Sequence, residues 1–262
     1  MSATRIALAL GAALSLPLLA CPAMAANKLL THSGQEVGLS FSHYQYKEPD
    51  LMKLEGNKFG IDYTSTLMLD QAWFMKIAGR YAFGDVNYDS NGTGSMKGVD
   101  DWYTEIRALF GKDIELGSQV LAPFSGLGFR YLDNDLTGVS TTGATGYERS
   151  SNYVYLPIGA IHRFSLNANS LLETTLEADV LLYGKQKSYK EGVTIENKQK
   201  EGYGFRLSSF YRQGPWAIGP YYNYWKISKS ETELVTYSNG STLNWEPRNN
   251  TNEYGIKGSY SF

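Results

Sequence analysis

The chain has 262 residues, a formal net charge of −2, 14% aromatic and only 19% charged residues, with 20 Tyr, 27 Gly and a single Cys. Plentiful aromatics exclude a disordered chain, the near balance of charge argues against a nucleic-acid surface, and a mean hydropathy of −0.33 excludes a bundle of membrane helices. A Tyr-rich, Gly-rich, Cys-poor composition of this polarity is that of a membrane β-barrel.

The N-terminal segment reads as an export signal. Arg5 supplies the charge, Ile6 to Ala20 the apolar run and Ala23-Met24-Ala25 the small-x-small site, which predicts cleavage after Ala25 (signal 1–25) and a mature domain over 26–262. Leu18-Leu19-Ala20-Cys21 leaves a second reading open, a lipoprotein processed at Cys21. Cleavage after Ala25 removes the only cysteine, so an exported chain must rely on backbone pairing and packing instead of disulfides.

Beyond it, about ten segments alternate with period two: 35–46, 57–69, 73–86, 102–112, 120–132, 151–164, 171–184, 202–212, 216–227 and 252–262. In the third, Trp73, Met75, Ile77, Gly79, Tyr81 and Phe83 share one face. In the seventh, Leu172, Thr174, Leu176, Ala178, Val180 and Leu182 stand against Glu173, Thr175, Glu177, Asp179, Leu181 and Tyr183. Links after even-numbered segments are short, such as Asp70-Gln71-Ala72 and Gln213-Gly214-Pro215. Links after odd-numbered ones (47–56, 87–101, 133–150, 185–201, 228–251) are longer and rich in Gly, Asn, Ser and charge. This alternation predicts an all-β fold: a transmembrane up-and-down antiparallel β-barrel of about 10 strands, with periplasmic turns, extracellular loops and both mature termini periplasmic. Aromatics near segment ends, Tyr44, Tyr46, Trp73, Trp102, Tyr131, Tyr153, Tyr155, Trp216 and Trp225, are candidates for interfacial girdles, with ordinary strand propensity as the alternative.

At the C-terminus Tyr254, Ile256, Gly258, Tyr260 and Phe262 alternate outward. Tyr260 and Phe262 resemble the assembly signal read by the barrel-assembly machinery, although Lys257 departs from the pattern's Gly. The chain also carries Tyr44-x-Tyr46-x-Glu48-Pro49-x-Leu51-Met52, Pro123-Phe124-x-Gly126-x-Gly128-x-Arg130-Tyr131-Leu132, Glu177-x-Asp179 before Gly184-Lys185-Gln186-Lys187-Ser188, and Glu246-Pro247-x-Asn249-x-Thr251-x-Glu253-Tyr254-Gly255. With these features its mature length resembles the single-chain outer-membrane β-barrel proteins of Gram-negative bacteria, small porin-like or opacity-like barrels, and within them a proteobacterial group of unassigned function. The resemblance implies a monomer in the cell outer membrane, in contact with outer-membrane lipid and lipopolysaccharide, with no cofactor and no nucleic acid. Since closure pairs the first strand with the last, Pro49 and Pro247 are expected together at the extracellular rim.

Inward positions collect Lys76, Arg80, Glu105, Arg107, Arg130, Glu173, Glu177, Asp179, Arg206, Glu253 and Lys257. A narrow lumen favours a plug of paired charges; a small polar conduit through the same residues is the other reading. No catalytic constellation is found. The mature histidines are His32, His43 and His162, no Asp-x-His occurs, Ser42 and His43 are neighbours in a strand, and Asp100-Asp101 reads as a solvated loop pair. An omptin-like or lipase-like hydrolase therefore ranks third. Asp85-x-Asn87-x-Asp89-x-Asn91-Gly92 has calcium-loop spacing, but Met96 stands where the bidentate Glu belongs, so no metal site is expected. Lys185, Lys187 and Lys190 in loop 185–201 are candidates for lipopolysaccharide phosphate contacts, with a solvated, mobile loop as the other reading. The expected function is non-enzymatic: envelope structure, surface binding or adhesion through the loops, with a narrow porin-like channel as the alternative.

Overall fold

The computed structural model describes residues 28–69, 72–190, 192–237 and 240–262. The export signal with Cys21, and Asp70 and Gln71 of the first short link, lie outside the described residues. Among the described residues fourteen strands follow in chain order: β1 (Gly34–Glu48), β2 (Met52–Met68), β3 (Trp73–Ser90), β4 (Gly94–Lys112), β5 (Ile114–Leu116), β6 (Gln119–Asp135), β7 (Glu148–Ser165), β8 (Ser170–Lys190), β9 (Val193–Gln199), β10 (Gly202–Gln213), β11 (Trp216–Ile227), β12 (Glu233–Tyr237), β13 (Gly240–Asn244) and β14 (Asn249–Ser261). Ten of them close a barrel in the order β10-β11-β14-β1-β2-β3-β4-β6-β7-β8, with β8 returning to β10. Neighbours are antiparallel, and β1 pairs with β14 from Glu36↔Ser261 to Lys47↔Asn250. Full closure removes the open sheet edges that a lipid environment cannot tolerate. Among the described residues no α-helix is present.

Period-two alternation sorts each strand into an outward and an inward face. Outward, Leu39, Phe41, Phe59, Ile61, Ile106, Leu127, Leu176, Ile218 and Ile256 are all exposed, Leu39 by 66%. So continuous an apolar belt suits hydrocarbon and not water. Aromatics bound it above and below. Near the rim that carries Lys28 and Phe262, called lower here, Trp73 stacks on Phe110 and Trp216 packs edge-on against Tyr260, both at 4.8 Å. Above, Phe41, Phe59, Phe83, Tyr81, Trp102 and Tyr131 form a row of ring contacts from 5.2 to 6.5 Å across five strands. On β3 the two rows lie about ten residues apart, the length that crosses a hydrocarbon core.

The strands continue well past the upper row. β3 has 18 residues, β4 19 and β8 21, which carries paired backbone roughly 20 Å above the belt at about 3.3 Å per residue. The sequence expectation ended these strands too early. Link 47–56 shrinks to a turn between β1 and β2, 87–101 to one between β3 and β4, and most of 185–201 is the β8–β9 ladder instead of a loop. Asp85, Asn87 and Asp89 are accordingly extended along β3 and face outward, and do not curl into a loop. The girdle expectation is corrected by parity. Trp73, Trp102, Tyr131 and Trp216 face outward, whereas Tyr44, Tyr46, Tyr153, Tyr155 and Trp225 are buried inside. Tyr183, expected inward, is turned out at 45% exposure beside a bulge where Val154 pairs with Tyr183 and Tyr155 with Leu181.

Candidate functional site

The interior is the site that the sequence singled out, and it is layered. At the lower rim, Glu173 accepts from Arg163 Nε (2.7 Å) and Arg212 Nε (2.9 Å), and Arg212 Nη1 donates to Glu36 (2.8 Å). Arg163 also reaches Asp113 (3.2 Å), whose other contacts are the backbone N–H and hydroxyl of Thr31. This ties the chain before β1 across part of the mouth, where Leu29 packs on Val120 and Leu171.

At mid-height two charge clusters face each other. On the β14 side, Glu253 accepts from Arg80 Nη2 (2.8 Å), Tyr103 (2.7 Å), Tyr221 (3.0 Å) and Ser42 (3.0 Å), while Arg80 also donates to Asp62 (3.3 Å). On the β8–β10 side, Arg206 grips Glu105 with two nitrogens (2.7 and 2.8 Å) and turns its Nε to Asp179 (2.7 Å). Arg107 Nη1 lies 2.8 and 2.9 Å from the two Glu177 oxygens. Between the clusters Arg130 lies 4.3 Å over the Tyr103 ring and 5.9 Å from that of Trp225, and Tyr155 meets Trp225 edge-on at 5.0 Å. Room for Tyr155 comes from its cross-strand partner Gly128, where an added Cβ would lie 2.1 Å from the ring.

Above the aromatic row the interior closes by other means. Tyr44, Tyr46, Leu54, Val86, Val99 and Leu136 form an apolar cluster. Beside it, fully buried Lys58 pairs with Asp101, which also accepts from Asn134. Arg149 donates to Glu48 (2.7 Å) and Glu246 (3.3 Å) and lies 4.7 Å over the Tyr46 ring. Burial pushes the Glu246 carboxyl up to about 7 against the pull of Arg149, with the negative charge of Glu48 adding to the rise. Glu48-Pro49 and Glu246-Pro247 thus meet at the upper end of the β1–β14 seam, as expected, with Arg149 bonded to both carboxylates.

All eleven inward charges named from sequence lie on the inner wall, but they do not form one cluster. Lys76 stands apart from the ion-pair layers, Lys257 reaches only the edge of the Arg80 cluster at Asp62 (3.8 Å), and Arg130 is held by rings. The reading missed Glu36, Lys58, Asp62, Arg149, Arg163 and Arg212. Extending the same parity along each strand would have found them: Glu36 shares its face with Ser40 and Ser42, Lys58 and Asp62 with Gly60, Arg212 with Arg206.

Other candidates separate. Ser42 points inward to Glu253 while His43 is outward, 3.3 Å from Glu55. Asp101 is buried on Lys58 while Asp100 faces out, so the two carboxylates lie on opposite faces. His162 contacts Gln119 (2.7 Å) and His32 lines the lower cavity. Lys185 and Lys187 are outward and share Glu196, at 2.9 and 3.0 Å, and Lys190 is exposed at the end of β8. Tyr260 and Phe262 are exposed at the lower rim.

Neither a family model nor a curated protein sequence matches the chain. Among solved structures it is similar to the outer membrane protease OmpT from Escherichia coli, with 11% identity, a TM-score of 0.57 and coverage of 87% of this chain and 97% of that one. Weaker likenesses include the transport unit of the autotransporter AIDA-I from Escherichia coli (9% identity, TM-score 0.49, 90% and 93% covered) and Ail, the attachment invasion locus protein of Yersinia pestis (10%, 0.34, 88% and 100%). At these identities the likeness is one of fold, a closed outer-membrane β-barrel, and carries no activity with it.

Proposed function

We propose that this protein is a barrel of the Gram-negative outer membrane that neither conducts nor catalyses. Its lower rim faces the periplasm, and its upper rim, raised above the bilayer on extended strands, serves envelope structure, surface binding or adhesion. The observation that carries this reading is the occupied lumen: two facing ion-pair clusters at mid-height, then an apolar and ionic seal above them. A conduit needs a continuous wet path, and these layers interrupt it twice. Lipopolysaccharide is the nearest surface partner. Lys185, Lys187 and Lys190 stand outside the barrel above the belt, where anionic head-group phosphates would meet them as point charges. Tyr260 and Phe262, outward at the lower rim, suit recognition by the assembly machinery during insertion. The barrel works as a monomer. The test is single-channel recording on refolded full-length protein in planar bilayers. No conductance above blank bilayers is expected; a stable conductance would overturn the reading and favour a narrow channel.

A further inference from the structure

Below the mid-height clusters the lumen is not filled. It holds a cavity of about 700 Å³, within the range of small-molecule sites. Its lining includes His32, Asn169, Gly214 and Phe262, all from the lower end, so it opens at the lower rim and reaches up to Arg80 and Arg206. Nearly every cation on its wall is engaged: Arg80, Arg107, Arg163, Arg206 and Arg212 each donate to carboxylates. Lys76 is different. No hydrogen bond or ion pair links its ammonium to another described residue, and the carboxylates that face it, Glu173 and Glu36, are held by Arg163 and Arg212. Lys257 lies 3.8 Å from Asp62 and 5.1 Å over the Phe210 ring, and Lys28 at the mouth donates to the backbone carbonyls of Asn167 and Ser170. Beside Lys76 lies an apolar wall. Lys76 is the cross-strand partner of Leu109, which packs with Phe124 and Ile161, and all three line the cavity.

A cation without a hydrogen bond or ion pair among the described residues, next to an apolar surface in a pocket of this volume, is the arrangement that holds a monoanion with a compact apolar body. We propose that the periplasm-facing cavity binds a small organic carboxylate, its charged end on Lys76 and its body on Leu109, Phe124 and Ile161. A phosphate dianion fits less well, because the neighbouring Glu173 and Glu36 repel a second negative charge and the apolar wall would be left uncovered. The inference goes beyond the scaffold reading and rests on it in one respect, that the pocket is closed from above.

The experiment is calorimetric titration of the refolded full-length protein in detergent micelles with sodium benzoate, with sodium chloride and inorganic phosphate as parallel titrants. Saturable one-site binding of benzoate, stronger than that of either control, is expected. Lys76→Met should weaken it at least tenfold while Lys76→Arg retains it, each variant first shown to keep the heat-sensitive gel mobility of a folded barrel. A second readout does not depend on Lys76: Thr66→Cys, on the cavity wall, introduced with Cys21→Ser, should react with a bulky maleimide more slowly when benzoate is present. Absence of saturable binding, equal binding of chloride and benzoate, or no effect of Lys76→Met would each overturn the proposal. Channel recordings on the same preparation keep the two ideas separate, since conductance with benzoate binding intact sinks only the closed lumen, and silence without binding sinks only the site.

Discussion

Replacing Arg206 by methionine tests the plug at its most connected point. The guanidinium meets Glu105 at 2.7 and 2.8 Å, Asp179 at 2.7 Å and Glu177 at 3.2 Å. Without it Glu177 keeps Arg107 at 2.8 Å, Glu105 keeps only a 3.8 Å approach to Arg107, and Asp179, buried and already with one oxygen unbonded, loses its cation. Removing one partner of a buried ion pair costs about 3–5 kcal/mol, because the remaining charge stays desolvated. Two carboxylates are stranded here, one of them partly supported, so a loss of about 4 kcal/mol is expected. The assay is equilibrium urea unfolding in lipid vesicles followed by tryptophan fluorescence. Adding Glu105→Gln and Asp179→Asn to Arg206→Met should recover most of the loss, since the triple variant leaves no unpaired charge at these positions. A loss below about 1 kcal/mol for Arg206→Met would refute the reasoning, because it would mean that water screens these charges as it does surface pairs.

Three further outcomes follow from the same geometry. Glu246 holds its proton to about 7 when folded, against 4.5 for an unperturbed Glu. Its contribution is therefore fully present below about pH 4.5 and is lost as pH rises through 7, about 3 kcal/mol in all; Glu246→Gln should flatten the unfolding free energy across that window, and an unchanged slope would exclude the shift. Gly128→Ala puts a Cβ 2.1 Å from the Tyr155 ring and should cost about 1–3 kcal/mol by overpacking, read in the same urea experiment. Leu39→Arg, in the middle of the outward belt, should cost about 2–4 kcal/mol in a bilayer, whereas Lys47→Arg above the belt should cost almost nothing. Equal effects at both positions would misplace the belt.

Much of the fold was legible because strand periodicity is a local property. Whether Leu39 or Ser40 faces outward depends only on alternation along β1, and the closure of the seam by Glu48-Pro49 and Glu246-Pro247 follows from order along the chain. Strand lengths were not legible. Above the aromatic row the outward positions turn polar, as at Gln45 and Lys47, so apolar alternation ends while backbone pairing to Lys53 and Asn250 continues. Chain position near a segment end likewise suggested girdle roles for Tyr44, Tyr155 and Trp225, and only their parity in the closed sheet placed them inside.

By itself, the sequence determined the class of fold, the lipid-facing residues and the identity of most inward charges, because each depends on nearest neighbours. Only the tertiary structure decided which charges meet. Arg206 and Glu105 are 101 residues apart, and Arg80 and Glu253 173 apart. Their contact depends on how the strands stagger as the sheet closes, and the same stagger leaves Lys76 without an ion-pair partner among the described residues, beside an open cavity.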